Sequence, residues 1–294
     1  SAVYTRAKTA DEIAAAIARE DSDKDGLKDW EESLWKTDPQ NPDSDADGTK
    51  DGQEVTEGRD PNKKGSDDSF SGSGTTIGAG NTNSEEPQSN IDKFSQQLFA
   101  SYLSLKQRDG GVLSPQSEQQ IISELSESAL ASAPVPKNYS SADILITDDE
   151  SEAAIREYGN TMGAIIKKYG VYGDNELIIV KRALDTQNKD LLKKLDPIAL
   201  AYGSMVTAFL KVPVPTSAST IHLDIVNGLT QTKNAVEGLR GIFNDPVAGL
   251  VAFGRYQKIA SFVGNAFARV APYFKTHKIS FPPGTDGYSF AHII

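Results

Sequence analysis

Two twelve-residue stretches hold the side chains best suited to chemistry. Asp21 to Glu32 reads Asp-Ser-Asp-Lys-Asp-Gly-Leu-Lys-Asp-Trp-Glu-Glu, and Asp43 to Glu54 reads Asp-Ser-Asp-Ala-Asp-Gly-Thr-Lys-Asp-Gly-Gln-Glu. Counted from its first Asp, each stretch has Asp at positions 1, 3, 5 and 9, Gly at 6 and Glu at 12. A hard cation of calcium's size takes about six to eight oxygens at roughly 2.3–2.6 Å. Alternate residues of a tightly turning loop can aim carboxylates at one such centre, and glycine at position 6 permits the turn.

The predicted ligands in the first loop are Asp21, Asp23, Asp25, the Leu27 carbonyl, Asp29 and Glu32. In the second they are Asp43, Asp45, Asp47, the Thr49 carbonyl, Asp51 and Glu54. Glu at position 12 can close a shell with both oxygens, and position 9 often acts through a water. Solvated acidic turns are the plain alternative, because Asp, Gly and Ser are all loop formers. The same specified positions recurring 22 residues apart argue against it. Two Ca²⁺ ions are therefore expected. Magnesium fits less well, since it keeps more of its water and takes fewer protein carboxylates.

Similar punctuation follows each loop: Lys36-Thr37-Asp38-Pro39 after the first and Gly58-Arg59-Asp60-Pro61 after the second. With these turns, residues 21–62 resemble the thrombospondin type 3 repeats of many bacterial surface proteins. The resemblance implies loops wrapped around ions with little regular structure, and it leaves open whether Asp38 and Asp60 add ligands. Arg59 departs from the Thr usual in that turn, and two loops are fewer than many such arrays hold. A helix before the first loop and a helical stretch over Trp30–Lys36 give that loop an EF-hand-like aspect. Lys28 and Lys50 at position 8, and the Pro-rich 38–42 segment where an entering helix would be needed, do not fit a paired EF-hand. Dockerin-type twin loops fit the helices and spacing less well.

Net charge is concentrated in the same place. The chain carries 30 Lys plus Arg against 41 Asp plus Glu, a formal charge of −11. Between Asp21 and Asp68 there are sixteen acids and seven bases, leaving 25 acids and 23 bases for the remainder, so the stretch holds −9 and the rest −2. Two bound Ca²⁺ would bring the whole to about −7. A phosphate backbone needs a basic face, so a nucleic-acid partner is excluded. With no cysteine, disulfides, thiolate metal sites and a Cys nucleophile are excluded as well. No stretch reaches the roughly 18 apolar residues that suggest a membrane span. The chain opens at Ser1 without Met, so a removed targeting segment is expected.

These sites need elements to hold them. Ile13, Ala14, Ile17 and Ala18 give residues before the first loop an apolar helical face, with Thr9 or Asp11 as cap. Residues 65–90 are dominated by Gly, Ser, Thr and Asn, which cannot bury enough surface to order themselves, so a flexible linker is predicted there. The expected domains are 1–64, an N-terminal helix plus the two-loop calcium module; 65–90, the linker; and 91–294, all α. The fold class is thus mainly α, with a small calcium-loop module tethered to an irregular helical bundle.

Helix punctuation supports that reading of 91–294. Asn90 caps a helix carrying Tyr102 and Leu105, stopped by Gly110-Gly111, and Ser114-Pro115 opens another that ends at Pro134 and Pro136. Further helices are predicted from Thr147-Asp148, Asp174 and Asp196-Pro197. A long one over about 217–243 is followed, after Asn244-Asp245-Pro246, by an antiparallel partner. Ile144-Leu145-Ile146 is a possible strand without a companion, and the tail after Lys275 reads as an extended strap.

No zinc motif, nucleophile elbow or phosphate loop is present. Asp148-Asp149-Glu150 reads as a helix cap, His222 as a hydrogen-bonded surface or interface histidine, and Leu250 through Val270 as a buried helix face. Trp30 and Trp35 are expected to form the small core of the calcium module. The function expected is that of a calcium-binding extracytoplasmic protein, secreted or on the cell surface, in a structural, adhesive or interaction role. A protein or surface partner would meet the helical domain. The alternative is a secretion- or pilus-type accessory protein, or an enzyme with an unrecognised site. Extracellular modules of this kind bind calcium at about 10⁻⁴–10⁻³ M, which resting cytosol would leave empty.

Overall fold

The computed structural model describes residues 13, 16–17, 19–65, 100–110, 113–114, 116–117, 120–121, 138–170 and 175–293. Most of the predicted linker, the caps Thr9, Asp11 and Asn90, and the Pro134–Pro136 stop lie outside them, as do Ala14 and Ala18. The protein is mainly α, in two compact units. One comprises 1–134, 184–187 and 241–251; the other comprises 135–183, 188–240 and 252–294.

In the first unit, each acidic loop leads into a seven-residue helix: α1, Asp29–Trp35, and α2, Asp51–Glu57. Where the resemblance implied little regular structure, ligand positions 9 and 12 stand on a helical turn. Both helices end on a left-handed residue, Lys36 at φ 63° and Gly58 at φ 73°, whose amide bonds back to a carbonyl of the last turn. Ile13 and Ile17 are helical and buried, as their spacing predicted. Residues 100–108 are helical, and Gly110 at φ 81° ends the segment at the predicted stop.

The second unit holds β1, Leu145–Thr147; α3, Glu152–Tyr169; most of α4, Glu176–Asp185; and α5, Leu195–Phe209. It continues with β2, Pro213–Pro215; α6, Ser219–Arg240; and most of α7, Pro246–Ala268. Then come α8, Val270–Thr276, and α9, Asp286–Ala291. Side chains of Ile155, Met162, Phe209, Ile225, Val226, Phe274 and Phe290 form its core.

Several predicted boundaries move for local reasons. α3 starts at Glu152 because Ser151, not Asp148, accepts the Ala154 amide as its cap. Asp148 and Glu150 instead bond Thr216 and Ser217. The strand at Leu145–Thr147 does have a companion: β2 pairs with it in parallel, Ile146 opposite Val214. Prolines flank that companion and hid it in the sequence, yet one backbone donor at Val214 remains available to a short edge pair. The tail is not simply an extended strap, because Thr285 accepts the Tyr288 amide and caps α9, which packs on α3 and buries Phe290.

α6 and α7 do form the antiparallel hairpin. Gly238 faces Ala252, Gly228 faces Val263, and Asp224 pairs with Arg269, so contacts descend α6 as they ascend α7. A methyl at Gly228 would lie 2.6 Å from Val263 Cγ2, so the close approach requires glycine. Along α7, Tyr256, Ile259 and Ala266 are buried, but Phe262 is 42 % exposed and departs from the predicted core face.

Candidate metal centre

The two loops have the same backbone. Lys24 and Ala46, at position 4, have φ of 63° and 58°, and Gly26 and Gly48, at position 6, have φ of 102° and 98°. Two left-handed residues so close together curl the chain around the carboxylates. Only the glycine adopts that conformation without steric cost.

Carboxylates hold the curl. Asp21 accepts the Lys24 amide at 2.7 Å and the Gly26 amide at 3.2 Å, and Asp43 accepts those of Asp47 at 3.2 Å and Gly48 at 2.9 Å. Asp25 accepts the Leu27 amide at 2.7 Å, and Asp47 the Thr49 amide at 2.8 Å. Asp29 takes both the amide and hydroxyl of Ser22 at 2.8 Å, while Asp51 takes the Ser44 amide at 2.9 Å. Seryl residues at position 2 thus tie each loop's entrance to its exit helix.

In each loop the first three aspartates place one oxygen apiece within 4.8 Å of the others: Asp21, Asp23 and Asp25 in one, Asp43, Asp45 and Asp47 in the other. Asp29, Glu32, Asp51 and Glu54 are buried where α1 and α2 begin. Asp38 and Asp60 stand outside both clusters. Each accepts an amide two residues on, from Gln40 and Asn62, and so shapes the turn after its loop.

The electrostatics are those of crowded like charges. Burial first, then Asp23, Asp25, Asp29 and Asp51, push the Glu32 carboxyl up to about 9 from an ordinary 4.5. Burial and Asp25 raise Asp23 to about 6. Asp29, Asp45 and Asp51 are raised too, chiefly by desolvation, whereas amides from Gly65 and Thr49 lower Asp47.

Four carboxylate oxygens, Asp23 Oδ2, Glu32 Oε2, Asp45 Oδ2 and Asp51 Oδ2, are buried without a hydrogen-bond partner. Such oxygens are costly unless a cation satisfies them. An all-oxygen, carboxylate-rich set on a curled loop fits Ca²⁺.

Residues 21–42 and 43–64 each match the bacterial TSP3 repeat. Those two repeats contain both Asp clusters. No curated protein and no solved structure matches the chain.

Contacts between residues five apart give the departure at Arg59 a role within its own repeat. Thr37 Oγ1 reaches Glu32 Oε1 at 3.4 Å, and 22 residues later Arg59 Nη1 reaches Glu54 Oε1 at 3.4 Å. The turn residue steadies the position-12 carboxylate in both repeats, by a hydroxyl in the first and a guanidinium in the second. The repeat in the sequence could have located this role; its chemistry needed the structure.

The TSP3 match does not extend to the second unit. There Glu176, 7 % exposed, accepts Tyr202 at 2.6 Å and Tyr256 at 2.9 Å, tying α4, α5 and α7 together. His222 is fully buried, which corrects its reading as a surface residue. Its Nδ1 lies 3.3 Å from the Tyr158 hydroxyl, and burial lowers it to about 4. Among the described residues, no helix is long and apolar enough to cross a membrane.

Proposed function

We propose that this chain is a calcium-binding extracytoplasmic protein, secreted or on a cell surface, with a structural, adhesive or interaction role. Two Ca²⁺ ions order the acidic segment. Asp21, Asp23, Asp25, the Leu27 carbonyl and Glu32 hold one ion, and Asp43, Asp45, Asp47, the Thr49 carbonyl and Glu54 hold the other. Asp29 and Asp51 brace the loops through Ser22 and Ser44, with position 9 reaching the ion through water. Calcium supplies the positive charge that these carboxylates otherwise lack. The helical second unit meets a protein or surface partner.

The observation that carries the reading is the set of buried, unpartnered carboxylate oxygens inside two TSP3 repeats. Millimolar calcium outside the cytoplasm suits the affinity of extracellular modules. A site with Kd near 0.1 mM would add about 1.5 kcal/mol of stability there.

Calorimetric titration of the full chain with Ca²⁺ tests this. The expected result is two ions per chain, lost with Glu32→Gln or Glu54→Gln one at a time. Absence of calcium heat at millimolar concentration would overturn the reading.

A further inference from the structure

The two loops are not independent beads. Asp25, at position 5 of the first loop, accepts the Leu27 amide on Oδ1 and, on Oδ2, the Gly52 amide at 2.7 Å. Gly52 belongs to the second repeat, at position 10 of its loop and second in α2. It lies so close to the first loop that a Cβ there would be 2.7 Å from the Asp25 carbonyl oxygen and 2.8 Å from the Leu27 nitrogen. Its counterpart in the first loop is the bulky Trp30, so the repeat pattern does not demand glycine at this position.

Gly52 is flanked by the second loop's own candidate ligands. Asp51 and Glu54 are fully buried on the same seven-residue helix. A cation drawing Glu54 inward fixes the start of α2, and with it the amide that aims Asp25. Conversely, an ion held by Asp25 fixes the carboxylate and backbone on which Gly52 rests.

We propose that the two loops bind calcium as a coupled pair, with Gly52 as the positioning residue that links occupancy of the second loop to Asp25 of the first. This rests on the calcium reading above. Coupling of this kind is reciprocal: whatever factor the second ion adds to the first site's affinity, the first adds to the second's.

The test uses the full chain and Ca²⁺ alone. Trp30 and Trp35 follow the first loop by fluorescence, and calorimetry follows both sites. In Glu54→Gln, which leaves every first-loop ligand intact, the fluorescence midpoint should move to about fivefold or more higher calcium. Asp45→Asn, also confined to the second loop, should shift it the same way. Glu32→Gln should weaken the second site by a matching factor, which a merely structural role would not produce. Gly52→Ala should retain two ions while lowering first-site affinity; if it does not fold, the ligand variants decide alone. Two ions bound by the unaltered chain, together with an unmoved first-site midpoint in Glu54→Gln and Asp45→Asn, would overturn the coupling and leave the calcium reading standing. No calcium bound by the unaltered chain would overturn both.

Discussion

The Trp30 ring meets Tyr102 edge-on, with centroids 5.8 Å apart and planes at 87°. Trp30 lies inside the first acidic loop, and Tyr102 lies 72 residues later on the helical stretch 100–108. One face of α1 therefore offers Asp29 and Glu32 to the loop while Trp30 packs on Tyr102. Beneath it, the Tyr102 oxygen accepts from Lys106 Nζ at 2.9 Å, and Tyr102 also bonds to Glu31. Both tryptophans are buried, as expected of a core for the loops, but Trp30 also meets a residue from outside the repeats.

Replacing Trp30 with Ala should cost about 3–5 kcal/mol, the range for truncating a buried aromatic. Urea unfolding followed by circular dichroism measures it. A cost below about 1 kcal/mol would show that the Trp30–Tyr102 contact contributes little.

Without calcium, the acidic segment should lose stability as pH rises. Glu32 and Asp23 are raised in the folded chain to about 9 and about 6, so between about 4 and 9 the folded state holds protons that the unfolded state has released. Stability is fullest below the unfolded values and falls as pH climbs through the folded ones. Saturating calcium should reverse the slope, because the ion needs the deprotonated carboxylates. Tryptophan-detected urea unfolding at pH 5 and 8, with calcium and with a chelator, decides it. A chelated protein more stable at pH 8 than at pH 5 would contradict the assignment.

His222 should act in the opposite direction. Its folded value of about 4 lies below the ordinary 6.5, so the unfolded chain takes up the proton first. Its share of stability is present above about 6.5 and is lost as pH falls toward 4. His222→Phe should remove that part of the acid sensitivity. At neutral pH it should cost about 1 kcal/mol, as the Tyr158 hydroxyl loses its partner. Thermal unfolding at pH 4.5 and 7 gives the difference, and an unchanged slope would refute it.

Arg59 pairs with Glu54, the candidate ligand at position 12 of the second loop, at 3.4 Å. Arg59→Thr, which restores the chemistry seen at Thr37, should raise calcium affinity at the second site severalfold, since a charge pair of this kind is worth about 1 kcal/mol. Calorimetry on the two proteins compares them directly. Weaker binding in the variant would mean that the guanidinium organises Glu54 for the ion.

Much of this site was legible in the chain because its physics is local. The spacing of Asp21, Asp23, Asp25, Gly26 and Glu32, repeated from Asp43, specifies a curled carboxylate loop without reference to anything distant. Helix stops at Gly110 and Asn244-Asp245-Pro246 were readable for the same reason, since caps and breakers act within a few residues. The sequence also located the acidity: −9 of the −11 lies between Asp21 and Asp68.

What only the tertiary structure decided depends on partners far apart in the chain. Nothing near Val214 announces that a strand between two prolines will pair with Ile146, because that contact spans 68 residues. Nothing near His222 announces full burial; the surrounding side chains of Tyr158 and Phe209 come from other helices. Nor could the repeat alone show Gly52 against Asp25, or Trp30 against Tyr102. Loop chemistry repeats with the sequence, but packing depends on which surfaces the folded chain brings together, and those two contacts have no counterpart at the equivalent position of the other repeat.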